Sequence, residues 1–169
     1  MSAPRKLVVQ PLTRAAFAAF GDVIEIEGAQ SFPINGDTCI RYNDLAHLDV
    51  AGQGGRAAMS LFRGQPVSFP LEISEVERHP LGSQSFTPMG EIPFLIVVAI
   101  NGSNGQPGEP SAFLSNGRQG VNYARGVWHH PLLSLGKVSD FLVIDRAGAG
   151  ENCDVAPLPA RFLIETIQR

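Results

Sequence analysis

Apolar positions along this chain come in short, dense bursts and not at the 3.6-residue spacing of long helices. The runs Asp22-Val-Ile-Glu-Ile26, Ala57-Met-Ser-Leu-Phe-Arg63, Phe94-Leu-Ile-Val-Val-Ala-Ile100 and Asp140-Phe-Leu-Val-Ile-Asp145 have strand length and favour β-branched and aromatic residues. Turn residues bound most of them: Gly52-Gln-Gly-Gly55, Gly64-Gln-Pro66, Asn101-Gly-Ser-Asn-Gly105 and Gly148-Ala-Gly150. The unbroken apolar run 94–100 predicts a strand buried on both faces. One short helix is predicted from Arg14 to Phe20, capped by Thr13 and stopped by Gly21, with Phe17 and Phe20 on one face. Gln106–Pro110 reads as an exposed loop, and Ala156-Pro-Leu-Pro159 as an extended connector to the last segment. Many short strands without crossover helices predict an antiparallel double-sheet sandwich or barrel.

Composition narrows this further. The 169 residues are 44% hydrophobic and 17% charged, which predicts a packed core and not disorder. The 18 glycines and 13 prolines are scattered, as punctuation between strands would be. Neither a repeat nor a linker interrupts the pattern, so a single domain over residues 1–169 is expected. Net charge is −3 with no run of Lys or Arg, which gives no support to a nucleic-acid or anionic-membrane partner. The first residues lack the apolar core of a signal peptide. Cys39 and Cys153 are far apart and outside any CxxC, so free, buried thiols in a reducing cytoplasm are expected.

The chain's four histidines focus attention on two segments. In the first, Glu77 and His79 lie two apart, so on a strand both project from one face into one cavity. Pro80 holds His79 extended, and after the Pro80-Leu-Gly-Ser turn Gln84 returns on the next strand. The second segment, Gly120 to Pro131, carries Asn122, Tyr123, Arg125, Trp128, His129 and His130. Adjacent strand residues face opposite ways, so only one of His129 and His130 can share the cavity of Glu77 and His79. His47 reads as a surface residue, and Arg63 reads equally as a strand-end ion pair.

The spacing Glu77-x-His79-x4-Gln84, followed by Gly126-x-x-His129, resembles a degenerate cupin signature. Glu77 stands where cupins carry their first histidine, and Gln84 where they carry glutamate. The resemblance implies a cupin-like antiparallel β-barrel of jelly-roll type, with a divalent metal held by His79, His129, Glu77 and Gln84; it selects His129 over His130.

Longer blocks make the resemblance more specific. Ala18-Ala-Phe-Gly-Asp-Val-Ile-Glu25, Arg41-Tyr-Asn-Asp-Leu-Ala46, Glu77-Arg-His-Pro-Leu-Gly82, Asn116-Gly-Arg-Gln-Gly-Val-Asn-Tyr123, Val127-Trp-His-His-Pro-Leu132, Asp140-Phe-Leu-Val-Ile-Asp-Arg146 and Asn152-Cys-Asp154 resemble the ureidoglycolate lyase family. That implies a homodimeric enzyme splitting ureidoglycolate into glyoxylate and urea with a divalent metal, nickel being the usual attribution. Elimination needs a base at the substrate hydroxyl and a proton donor at the departing nitrogen; Glu77, His79 and His129 are the catalytic candidates. The substrate carboxylate calls for an arginine, with Arg63, Arg41 and Arg125 considered in that order. Asn122 and Tyr123 are candidates for the ureido group. Two other functions fit less closely: hydrolysis of the ureido group to ammonia, and a non-catalytic cupin that binds a small acid.

Overall fold

The structure is a computed structural model that describes residues 3–167. Its order begins with β1 (Arg5–Lys6), β2 (Val9–Pro11), α1 (Arg14–Phe17), β3 (Gly21–Ile24), β4 (Ser31–Ile34) and β5 (Cys39–Tyr42). A single 3-10 turn at Gly52–Gly54 precedes β6 (Arg56–Gly64), β7 (Leu71–Arg78), β8 (Gln84–Pro88), β9 (Phe94–Asn101) and β10 (Pro107–Leu114). Then come β11 (Gly120–Tyr123), β12 (Trp128–His129), β13 (Leu133–Ser134), β14 (Ser139–Ala147) and β15 (Asp154–Ile164). No helix among the described residues is long and apolar enough to cross a membrane.

The fold is mostly β, with curled sheets that form a half-barrel of cupin-like kind. One sheet runs β1-β15-β7-β12-β9-β10-β2, with β13 also on β9, and the second runs β3-β11-β8-β14-β6. All pairings between these strands are antiparallel except β1 with β15 and β2 with β10, where the N-terminal segment lies along the two ends of the first sheet. Strands β4 and β5 pair only with each other.

Strand β9 is buried on both faces, as its composition predicts, and each face serves a different core. Leu95, Val97 and Ala99 join Ile73, Trp128 and Phe162 within the curl of the first sheet. Phe94, Ile96 and Val98 point the other way and meet Phe86, Val121, Tyr123, Phe141 and Val143 of the second sheet. The helix is shorter than predicted. The Thr13 hydroxyl accepts from Ala16 N as its cap, but Phe20 N then bonds back to Phe17 O at 2.8 Å, tightening the last turn. Phe17 and Phe20 still anchor it in the second core. Gly21 follows at φ 140°, where a β-carbon would collide with the Asn122 carbonyl on β11.

Two segments read as loop and connector are strands. Pro107 and Pro110 lie in β10 and Pro157 and Pro159 in β15, where the pairing with β9 and β7 shifts register. The other neighbours, β2 and β1, pair only with residues 112–114 and 162–163. The prolines thus occupy stretches with a free edge, where a missing N–H interrupts no ladder.

Candidate active site

The site forms where β12 lies between β7 and β9. His129 pairs across to Glu77 on one side and to Val98 on the other, so its side chain shares the face of Val98, toward the second sheet. Its neighbour Trp128 takes the opposite face, into the curl of the first sheet, where its indole N–H donates to Gly105 O. Val76 and Glu77 divide in the same way, Val76 into the first core and Glu77 toward His129. His79 follows the end of β7 and is fixed from behind: Gly126 N donates to its carbonyl at 2.9 Å. Gly126 has φ 76°, the left-handed turn that the Gly-x-x-His spacing requires.

Glu77, His79 and His129 present three ligand atoms that all lie within 4.8 Å of one another. Glu77 Oε1 is 3.7 Å from His129 Nε2 and 4.0 Å from His79 Nε2. Donors sharing one ion at about 2.1 Å each lie roughly 3–4 Å apart, so the cluster has the size of a metal site. Both rings are oriented for one. The Nδ1–H of His79 donates to Asn152 O at 2.7 Å, and that of His129 to Val127 O at 3.0 Å. With Nδ1 committed to a carbonyl, each ring turns its Nε2 toward Glu77. His129 Nε2 is buried and makes no hydrogen bond among the described residues. An orphaned lone pair facing a carboxylate is the donor set of a cation, and imidazole with carboxylate suits first-row divalent metals.

Electrostatics supports the same picture. Burial pushes the His129 pKa down to about 3, outweighing the Val127 hydrogen bond, with His79 and His130 adding repulsion. The ring is neutral at any physiological pH. Burial, and then Glu77, push the Tyr123 phenol well above its ordinary value, so it keeps its proton. Its ring stacks on His129 at 4.2 Å between centroids. Burial and the nearby Glu77 also raise the Cys153 thiol, whose sulfur is 4.0 Å from Glu77 Oε2.

The other predicted site residues divide. Gln84 is buried on β8 with its Oε1 3.1 Å from His79 Nε2, so it joins the cluster. Tyr123 joins it through His129. Asn122 faces away from Tyr123: its side-chain amide donates to Asp22 Oδ2 at 3.0 Å and to His47 O at 2.9 Å, tying the 43–50 loop to the outer face of β11. Arg63 is held by both oxygens of Asp140, at 2.7 and 2.9 Å, on the face of β6 opposite Phe62, whose ring meets Phe86 in the second core. Arg41 lies on the β4–β5 hairpin over the Phe32 ring. Arg125 belongs to the turn that bonds to the His79 carbonyl, and its Nε is 3.3 Å from Asp49. His130 Nδ1 is satisfied by Pro131 O.

Two residues escaped the sequence reading. Asn152 orients His79 through its carbonyl and holds Leu81 N through its side chain. Asp145 shares the inward face of β14 with Phe141 and Val143, and one of its oxygens is 3.4 Å from Gln84 Nε2. Alternation along the run 140–145 could have put it on the inward face, but not beside Gln84. Two cavities elsewhere, one lined by Leu12, Leu114 and Gln119 and one by Phe69, Ile92 and Lys137, contain none of the cluster residues in their walls.

Comparison with known proteins shows the family. A sequence model of a family described as ureidoglycolate lyase matches residues 4–165. The chain is 54% identical over 155 residues to a ureidoglycolate lyase of Burkholderia mallei, covering 92% of this chain and 91% of that protein. It is 56% identical over 151 residues to one from Rhizobium leguminosarum, covering 89% and 90%, and 51% identical over 162 residues to one from Rhizobium etli, covering 96% and 97%.

Proposed function

We propose that this chain, which belongs to the ureidoglycolate lyase family, is an enzyme that eliminates urea from ureidoglycolate at the Glu77–His79–His129 cluster. The observation that carries the reading is the convergence of two Nε2 lone pairs and a carboxylate, one of the nitrogens buried and without a partner.

In the reaction the substrate hydroxyl gives up its proton, and the oxygen electron pair closes to C=O. The C–N pair departs with the ureido nitrogen, which takes up a proton, so glyoxylate and urea leave. His79, His129 and Glu77 would hold a divalent metal, with the Gln84 oxygen as a fourth donor; nickel is the ion the family resemblance points to. Such an ion supplies Lewis-acid chemistry that acidifies a bound hydroxyl. Glu77, at 24% more exposed than His79 or His129, is the group we assign to accept the hydroxyl proton. Tyr123, kept neutral by burial, offers its hydroxyl to the ureido group. Arg125, on the turn bonded to His79, is the arginine we assign to the substrate carboxylate.

The same reading takes the protein as one domain working as a cytoplasmic homodimer. Met59 and Leu61 are 72% and 64% exposed on the outer face of the edge strand β6, an apolar stripe suited to a second copy. Cys39 and Cys153 are unpaired, in accord with a reducing compartment, but both are exposed and not buried as expected, since Cys39 lies on β5 and Cys153 just before β15, outside the two cores.

The test is to supply ureidoglycolate to metal-replete protein and measure the products. Stoichiometric urea and glyoxylate, with turnover lowered at least about 100-fold in His129→Ala, is the expected result. Ammonia without urea would overturn the lyase in favour of an amidohydrolase. Glyoxylate binding with no turnover would mark a non-catalytic binding protein.

A further inference from the structure

Gln84 meets the cluster through an amide, and an amide can present either end. In one orientation it offers a metal-binding oxygen; in the other it offers an NH2 that no metal accepts. Shape does not distinguish the two, so a neighbour must. His79 cannot decide it. Its Nδ1–H is spent on Asn152 O at 2.7 Å, and its Nε2, 3.1 Å from Gln84, is in the metal reading committed to the ion and would donate nothing to the amide.

The group on the other side of the amide settles the matter. Asp145 points inward from β14 beside Val143, and its Oδ2 lies 3.4 Å from Gln84 Nε2. The carboxylate oxygen is an acceptor and the amide nitrogen is the donor that faces it, so this contact takes the NH2 and turns the amide oxygen away. We propose that Asp145 is a positioning residue for the metal site: it holds the buried Gln84 amide with its oxygen turned toward Glu77, His79 and His129. The inference rests on the metal reading above. It adds a carboxylate on the sheet opposite Glu77 and His129 that touches no ligand atom of the three. Its role resembles that of carboxylates which orient metal-bound histidines, whose loss typically weakens metal binding about 10–100-fold.

Nickel binding measured by equilibrium dialysis in four proteins tests this. Asp145→Asn lets the amide invert and is expected to weaken Ni2+ binding about 10-fold. Gln84→Glu carries two equivalent oxygens and needs no orienting, so adding Asp145→Asn to it is expected to bring no further loss. An equal loss in both backgrounds, or none with Gln84 in place, overturns the proposal. Should the unaltered protein bind no Ni2+, the metal reading fails and the orientation is read on its own in metal-free protein. There, NMR should show contacts from the Gln84 side-chain NH2 protons to the Asp145 β-protons; their absence overturns the assigned orientation. Thermal melts of Asp145→Asn, with a midpoint near that of the parent, separate these outcomes from misfolding.

Discussion

The Tyr123 ring lies face to face with the His129 ring, centroids 4.2 Å apart and planes only 10° from parallel. The stack, the Val127 carbonyl at Nδ1 and the flanking strands leave the imidazole one orientation, with Nε2 aimed at Glu77. That orientation is bought with burial, since the ring is 1% exposed.

Acid sensitivity follows from that burial. The folded-state pKa of His129 is about 3, below the roughly 6.5 of an unfolded histidine. Between these values the unfolded chain binds the proton that the folded chain refuses, so stability present above pH 6.5 is lost as pH falls toward 3. The loss at pH 5 amounts to about 2 kcal/mol from this one group. Denaturant unfolding of metal-free protein at pH 7.5 and pH 5 should show a larger drop for the parent than for His129→Gln, by about that amount. Equal drops would mean that His129 is not the buried neutral base described here.

Tyr123 has two separable contributions. Tyr123→Phe keeps the stacked ring and removes only the hydroxyl, so turnover is expected to fall about 10-fold or more with Ni2+ binding unchanged. Tyr123→Leu removes the stack, frees the imidazole and should weaken Ni2+ binding as well. Steady-state kinetics beside equilibrium dialysis makes the comparison, and a Phe variant with full activity would remove the hydroxyl from the mechanism.

Strand alternation explains how much of this was legible in sequence. It separates His129 from His130 and puts Glu77 and His79 on one side, because both deductions need only the two-residue period. The same period separates Asn122 from Tyr123 and Phe62 from Arg63, where residue type alone suggests joint membership of a site. Strands β10 and β15 were hidden because their prolines mimic loops wherever an edge is free. Asp145 was hidden for a different reason. Its meaning comes from Gln84, 61 positions away in the chain, and no local pattern announces that encounter.

Arginine placement gives a second kinetic prediction. Arg63 already gives its Nε and one NH2 to both oxygens of Asp140, on the outer face of β6, whereas Arg125 sits on the turn that bonds to His79. Arg125→Ala is expected to lower kcat/KM about 10–100-fold, the worth of a charge-assisted hydrogen bond to a carboxylate. Arg63→Ala should stay within about twofold. The reverse ranking would return the substrate carboxylate to Arg63.

Stability depends on an arginine that never reaches the cluster. Arg146 is 6% exposed on the face of β14 opposite Asp145, and among the described residues no carboxylate is bonded to it. Its guanidinium donates instead to the carbonyls of Gly52, Gln53 and Ala149, at 3.0, 3.1 and 3.2 Å. Gly55 and Gly82 pack so closely on its side chain that a β-carbon at either would collide with it. Arg146 thus clamps the Gly52–Gly54 turn, next to the segment in which Asp49 bonds both Ser83, the residue before Gln84, and Arg125. Arg146→Ala removes three hydrogen bonds from a buried guanidinium to the carbonyls of Gly52, Gln53 and Ala149 and leaves a cavity, a loss of about 3 kcal/mol or more. Arg146→Lys keeps the charge but cannot span three acceptors, so it should recover less than half of that loss. Urea melts read both variants. A lysine variant as stable as the parent would show that charge alone, and not the shape of the guanidinium, holds the turn in place.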